Sequence, residues 1–243
     1  MREEPASNTL SGGRESKSAR TRQRILDAAA FVLSRKGYAG TRLSDVAGVA
    51  GVQAPAVYYY FSSREALIEE VMRVGTRRTH DHVAATIAKL PADTTPMDRI
   101  CAAVEAHLRI VLEISDYATA SIRNAGQLPD EIRAGGLAER NSYADLWRHL
   151  IAEARASGEL RPDIDPRAAR MLILGALNWA PEWWNPRQGS LDNVVYTALA
   201  IVREGLTGQA PVGSPSSIRA RLPAATGVRA GRPLSRTTAA SDT

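Results

Sequence analysis

Three consecutive tyrosines, Tyr58, Tyr59 and Tyr60, stand in "GVQAPAVYYYF" within a chain of 243 residues that is only 5% aromatic. On a helix successive side chains point about 100° apart, so the three cannot share one core face and at least one looks outward. A hydroxyl on a rigid aromatic arm can donate to a phosphate oxygen, which sets a helix in register on a nucleic acid without reading its sequence. The other groups with reactive potential do not assemble into a centre. His80, His82, His107 and His149 lack metal-site spacing, and His80 and His82, two apart, diverge on a helix. Cys101 and His107, six apart, do not join a nucleophile to a base on one helix. No P-loop, GxSxG or Rossmann glycine pattern is present. The one cysteine excludes an internal disulfide framework and a Cys-based zinc cluster. The sequence therefore reads as a non-enzyme with no metal and no cofactor.

Helices must position these tyrosines. In "TRQRILDAAAFVLSRKG" the apolar set Ile25, Ala28, Ala29 and Val32 recurs at three and four residues, and Gly37 follows Arg35 and Lys36 as a stop. Ser62 and Glu65 read as a capping box opening another helix. Thr95-Pro96, Leu128-Pro129 and Asp165-Pro166 each place proline where a helix begins, and Gly158 ends the segment that starts near Pro129. About nine helices are predicted, and the fold class is all-α. Residues 1–18 and 208–243 are polar and aperiodic and read as a disordered arm and a disordered basic tail. Charge is uneven around the net +5: residues 1–64 hold 10 Lys and Arg against 5 Asp and Glu, residues 65–204 hold 16 against 20, and residues 205–243 hold 5 against 1. A basic end joined to an acidic body suits a nucleic-acid binder, since phosphate neutralisation supplies most non-specific affinity. No apolar run of about 18 residues occurs, and "MREEPASNTLSGGRESKSAR" lacks the apolar centre of a signal peptide, so no membrane partner and a cytoplasmic location are expected.

Residues 41–61, "TRLSDVAGVAGVQAPAVYYYF", place a short helix with Leu43, Val46 and Ala47 before Gly51, and a second with Val57 and Phe61 after it. That is the layout of a helix-turn-helix, whose second helix enters the major groove. Pro55 falls in the first turn of the second helix, where its missing N–H is not needed. With Val57 and Phe61 inward, Tyr58 and Tyr59 lie off the core face, while Tyr60 sits near its edge and reads either as a phosphate donor or as part of the core. Residues 20–72 resemble the DNA-binding domain of the TetR family of bacterial transcriptional regulators, through "ILDAAAFVLSRKGY" and "VAGVAGVQAPAVYYYFSSREALI". The resemblance implies that Arg42 and Ser44 touch DNA, that Gln53, Ala54, Pro55 and Tyr59 face bases or sugar, and that Tyr58, Tyr60 and Arg64 hold phosphates. Three positions depart from the pattern: Gln53 stands where a Ser-like cap is usual, Arg64 replaces lysine, and Gly48 lies inside the first motif helix. The implied organisation is an N-terminal three-helix DNA-binding domain over residues 19–66 and a helical ligand-binding and dimerisation domain over residues 67–207.

In the second region, "DPRAARMLILGALNWA" carries Ala168, Met171, Leu172, Gly175, Ala176 and Trp179, and "SLDNVVYTALAIVREGL" carries Leu191, Val194, Val195, Ala198, Ile201 and Val202. These broad apolar faces fit a homodimer interface and, equally, a buried monomer core; the resemblance selects the interface. The stretch from "RNAGQLPDEIRAGG" to "NWAPEWWNP" resembles regulators of fatty-acid or sterol breakdown, several of which respond to acyl-CoA thioesters. That resemblance implies a hydrophobic effector, with Ile110, Ile114, Leu146 and Trp147 as walls for an acyl tail and Arg123, Arg140 and Arg148 as cations for a CoA head. Core packing and surface ion pairs explain the same residues. Asn178, Trp179, Trp183 and Trp184 read as a helix end broken at Pro181 and covered by indoles. The expected function is a homodimeric, ligand-responsive transcriptional repressor on a pseudo-palindromic double-stranded DNA operator. The alternative is a sequence-tolerant nucleoid or RNA-binding protein without an effector.

Overall fold

The computed structural model describes residues 17–208. The arm expected over residues 1–18 lies outside the described residues except for Lys17 and Ser18, which are already helical, and the expected basic tail lies outside them beyond Gly208. Ten α-helices are present, and no strand occurs among the described residues: α1 (Lys17–Gly40), α2 (Leu43–Ala50), α3 (Ala54–Tyr60), α4 (Arg64–Ala88), α5 (Pro96–Arg109), α6 (Asp116–Asn124), α7 (Asp130–Gly135), α8 (Leu137–Ala156), α9 (Pro166–Trp183) and α10 (Leu191–Thr207). A π-helical turn, Ile110–Ile114, continues α5.

Local chemistry accounts for most boundaries. Ile25, Ala28, Ala29 and Val32 are all buried on α1. The stop expected at Gly37 is a kink instead: its φ of 69° breaks the helix, and one further turn reaches Gly40. Thr95 and Asp165 cap α5 and α9 through the N–H groups of Asp98 and Ala168, with Pro96 and Pro166 next in line. The cap of α4 is Ser63, accepting from Ala66 at 3.0 Å, one residue later than the expected Ser62. Helix α9 runs past Pro181 to Trp183, and Trp179 and Trp183 are exposed. The expected break with covering indoles is thus overturned; of that group only Trp184 packs against the core.

Two apolar cores form. One joins α1, α2, α3 and the first half of α4, through Leu67, Ile68, Val71 and Val74, to Tyr117 and Ala120 of α6. The second joins Val83 at the far end of α4 to α5, α8, α9 and α10. The expected boundary at 66/67 therefore falls in the first turn of a helix that serves both cores. Helix α6 lies against α1 and α4 together. At its crossing with α4, a Cβ on Gly75 would overlap the Tyr117 carbonyl oxygen and the Ser121 side chain. Polar ties hold α6 to α1: the Tyr117 hydroxyl donates to Asp27 at 2.7 Å, Arg35 meets Asp116 at 2.8 Å, and Arg123 donates to the Ser34 carbonyl at 2.9 Å. Asn124 is fully buried; it accepts from the Tyr38 N–H at 2.7 Å and donates to the Ala120 carbonyl at 2.8 Å.

The second core contains a polar cluster. His107 and Trp147 are fully buried, and Nδ1 of His107 lies 2.6 Å from the Tyr143 hydroxyl. Burial holds the imidazole neutral, with a pKa lowered to about 4, while hydrogen bonding with the Asn178 side chain acts in the opposite direction. Burial also pushes the Tyr143 phenol up.

Two tests follow from this packing. Gly75→Ala, forcing α6 off α4, is expected to destabilise the fold by roughly 1–3 kcal/mol, read as a lowered Tm in thermal denaturation. For His107, the folded state stays neutral down to about pH 4 while the unfolded chain takes up a proton near its ordinary 6.5. The unfolded state then binds more protons, so this group's contribution falls by about 2 kcal/mol from pH 7 to pH 5. Denaturant melts at the two pH values should show a smaller difference for His107→Leu than for the natural chain.

Candidate nucleic-acid interface

The motif forms as its apolar spacing requires. Val46, Ala47 and Ala50 of α2 and Val57 of α3 are buried with Phe61 in the N-terminal core. Gly51 ends α2 in the left-handed region, at φ 63° and ψ 39°, and its N–H returns to the Gly48 carbonyl at 3.2 Å while Val52 N–H reaches Ala47 at 3.0 Å. Arg24 of α1 donates to the Ala50 carbonyl and so pins the turn from beneath. Gln53 starts α3 in extended conformation without a side-chain cap, and Pro55 sits in the first turn. No atom lies within 4 Å of a Cβ built on Gly48, so packing within this chain does not demand glycine there.

The fold leaves a defined set of side chains at the surface. Tyr58 is 59% and Tyr59 80% exposed, and Arg42, Ser44, Gln53, Ala54 and Pro55 are exposed as well. Among the described residues, the side chains of Arg42, Ser44, Gln53 and Tyr58 make no hydrogen bond or ion pair. Tyr60 is half-buried at the fringe of the core, edge-on to Tyr59 at 5.0 Å, with its hydroxyl 3.5 Å from Ser18. Arg64 departs from its expected role. Its guanidinium donates to the carbonyls of Thr41 and Tyr38, meets Glu65 at 3.0 Å and lies 4.4 Å over the Tyr38 ring. Most of its donors are thus spent on closing the α1–α2 loop over the start of α4.

The residues expected to line an effector pocket do not converge. Ile110 is buried beside Val111 and Ala118, whereas Ile114 is exposed on the π-helical turn. Arg123 pairs with Glu182 at 2.9 Å, Arg140 donates to the Arg133 carbonyl, and Arg148 pairs with Asp145. Only Leu146, half-buried, lines a recess of about 490 Å³ between α4, α5 and α8, shared with His80, Ser142 and Leu150; Trp147 is wholly inside the core. Spacing alone missed His107, although it continues the apolar stripe of Ile100, Ala103 and Val104, where a histidine stands out. Asn124 was missed likewise; it follows Tyr117, Ala120 and Ser121 on one buried face.

The expected interface helices divide into two sets. Leu191, Val195 and Val202 belong to the core of this chain, which corrects their placement at the surface; Val194 and Ala198 pack beside them, half-buried. Ala168, Met171, Leu172, Gly175, Ala176, Trp179 and Ile201 are exposed, Leu172 to 74%. Between α9 and α10 runs an apolar groove of about 980 Å³.

Residues 25–71 match the family described as bacterial regulatory proteins, tetR family, and residues 93–205 match the tetracyclin repressor-like C-terminal domain. The HTH-type transcriptional regulator RutR of Escherichia coli O157:H7 is 34% identical over 66% of this chain and 74% of its own. The chain belongs to the TetR family of bacterial transcriptional regulators. This TetR regulator is also similar to the HTH-type transcriptional repressor KstR2 of Mycolicibacterium smegmatis, 25% identical over 79% of this chain and 93% of that one. Its fold matches that of AibR in complex with isovaleryl coenzyme A and operator DNA, with a TM-score of 0.67 and 22% identity over 78% of this chain and all of AibR. The protein is accordingly a DNA-binding transcriptional regulator rather than an enzyme. No helix among the described residues is long and apolar enough to cross a membrane.

The surface roles separate by substitution. Tyr58→Phe is expected to weaken operator binding by roughly threefold to tenfold with little change in sequence preference, as a lost phosphate hydrogen bond would. Arg42→Ala should lower the slope of log K against log salt by about one. Arg64→Ala should chiefly lower Tm. Fluorescence anisotropy at several salt concentrations, with thermal melts alongside, checks all three.

Proposed function

We propose that the regulator works in the cytoplasm as a homodimer, holding two α3 helices in successive major grooves of a pseudo-palindromic operator, and that a hydrophobic effector, an acyl-CoA thioester foremost, releases it. The observation that carries this reading is the set of exposed, unspent side chains on a motif otherwise locked in place: Arg42, Ser44, Gln53, Ala54, Pro55, Tyr58 and Tyr59. Tyr58 and Tyr59 present polar tips on rigid rings, suited to phosphate and sugar, while Ala54 and Pro55 offer bases only apolar contact. We read residues 19–66 as the DNA-binding domain and 67–207 as the effector and dimerisation domain, with α4 common to both.

The dimer reading rests on α9 and α10, whose exposed Leu172, Trp183 and Ile201 line an apolar groove, with Met171 and Trp179 also exposed on α9. Exposed apolar surface on that scale marks an interaction site. A second copy of the same two helices buries it with two-fold symmetry, as a palindromic operator requires. The effector reading takes its chemistry from neighbours: AibR was captured with isovaleryl coenzyme A, and FadR of Bacillus subtilis, 21% identical with a TM-score of 0.63, with stearoyl-CoA. An effector releases DNA only by binding the non-DNA conformation more tightly.

Anisotropy binding of the full chain to its own upstream DNA and to a scrambled duplex, with and without acyl-CoA thioesters of several lengths, tests the proposal. Preference for one site by about a thousandfold or more, reversed by a thioester, is the expected result. Preference that no thioester reverses removes the acyl-CoA part. Equal binding to both duplexes favours a sequence-tolerant binder.

A further inference from the structure

We infer that Gly48 is a DNA-contact position, whose missing side chain lets a sugar–phosphate strand lie directly against the backbone of α2, beside Arg42 and Ser44. The inference rests on the DNA-binding reading of the motif and adds a contact that no side chain supplies. Glycine inside a helix is less stable than alanine, and a helix of eight residues has little stability of its own to lose. Three physical uses favour glycine there: a left-handed backbone, crowding within the chain, and close approach of the backbone to a partner. The first two fail at Gly48. Among the described glycines a positive φ occurs at Gly37, Gly51 and Gly158 only, and no atom lies within 4 Å of a Cβ built on Gly48. Gly51, three residues on, shows what an internal cause looks like: its φ is 63°, and an Arg24 guanidinium nitrogen stands 3.3 Å from where its Cβ would be. The third use is the one left to Gly48.

Its place on the helix identifies the partner. Ser44 and Gly48 are four residues apart, so they share a face, and both are exposed. The core side of α2 is taken by Val46, Ala47 and Ala50. Arg42, at the N-cap, is exposed as well, and its guanidinium is unspent like the Ser44 hydroxyl. Asp45, the acidic residue of α2, is met by Lys36 at 2.9 Å, so its charge does not stand alone against an approaching phosphate. The face therefore offers a cation, a hydroxyl and, one turn beyond, bare backbone. A sugar–phosphate strand fits that sequence of groups, since phosphate takes the donors and the sugar can pack where nothing projects. The Gly48 carbonyl already accepts from the Gly51 N–H at 3.2 Å, so the position supplies space rather than a hydrogen bond. Without a side-chain donor or acceptor it carries no base information and positions the strand only.

Gly48→Ala and Gly48→Leu separate the cost to the fold from the use on DNA. Both residues are better helix formers in open surroundings, so the Tm of the full chain should hold or rise, by up to roughly 2–4 °C for alanine. Affinity should nevertheless fall, roughly threefold to tenfold for alanine and at least about thirtyfold for leucine, as bulk forced into a close contact would make it. Fluorescence anisotropy reads this on the protein's own upstream duplex and, at low salt, on a scrambled one, because a strand contact is made on both. Stability and affinity moving in opposite directions is a result that a purely structural glycine does not produce. Undiminished affinity in Gly48→Leu, while Arg42→Ala and Tyr58→Phe still weaken binding, overturns the inference and leaves the motif's role on DNA in place. Undiminished affinity in all three variants removes the motif as the DNA-binding surface and the inference with it. A loss of affinity accompanied by a lowered Tm in both glycine variants assigns Gly48 to the fold and overturns the inference. A loss confined to the upstream duplex overturns the strand assignment.

Discussion

The helix-turn-helix cannot bury a core by itself, and the rest of the structure depends on how that deficit is met. Helices α2 and α3 have 8 and 7 residues, and together they bury only Val46, Ala47, Ala50 and Val57. Helices this short are marginal alone and draw their stability from tertiary packing. The missing surface comes from α1, the first half of α4 and, unexpectedly, α6. Because Tyr117 and Ala120 sit in the same core as Val57 and Phe61, the DNA-reading end and the body share one packed interior. The fully buried Asn124 sharpens the arrangement. Its amide is satisfied only when α6 meets the kinked end of α1 in this register, and a displaced register would strand buried polar groups, which costs more than a formed hydrogen bond contributes.

How much of this was legible in the sequence depends on the range of the signal. Caps and turns are local, so Thr95, Asp165 and Gly51 could be read from neighbours in the chain, whereas at Gly37 the break was legible but not the turn that follows it to Gly40. Adjacent serines defeated the same logic at α4, where either Ser62 or Ser63 offers a hydroxyl and the backbone selects the second. The outward face of α3 was legible because Val57 and Phe61 fix the inward one. Arg64 was not: whether an arginine reaches out to phosphate or back to the Tyr38 and Thr41 carbonyls depends on a loop folded over it. Arg123 shares that difficulty, since Glu182 reaches it from 59 residues along the chain, whereas the Asp145–Arg148 pair lies three residues apart on α8, within reach of helical spacing.

The apolar faces of α9 and α10 show the limit of periodicity. A broad stripe announces burial without naming the neighbour, and here it divides between the chain's own core, through Ile173, Leu177, Val195 and Val202, and an open groove bordered by Leu172, Trp183 and Ile201. Small residues at Ala168, Ala176 and Gly205 keep the open part low enough for close approach of a helix. The same ambiguity hid His107. A histidine within an apolar stripe is ordinarily a satisfied core residue, and only the packed structure reveals which groups meet it, the Tyr143 hydroxyl and the Asn178 side chain.

Helix α4 adds a mechanical consequence. It is an unbroken rod of 25 residues, crossed by α6 at Gly75, with Arg64 and the DNA-reading helices at one end and the recess residues His80, Ala84 and Ile87 toward the other. At 1.5 Å per residue the arm from Gly75 to Arg64 is roughly 16 Å long. A tilt of about 10° around that fulcrum would swing its tip by roughly 3 Å, comparable to the length of one hydrogen bond. Displacements too small to disturb either core are thus magnified at the end of the rod, where the fit to a groove is measured in fractions of that distance.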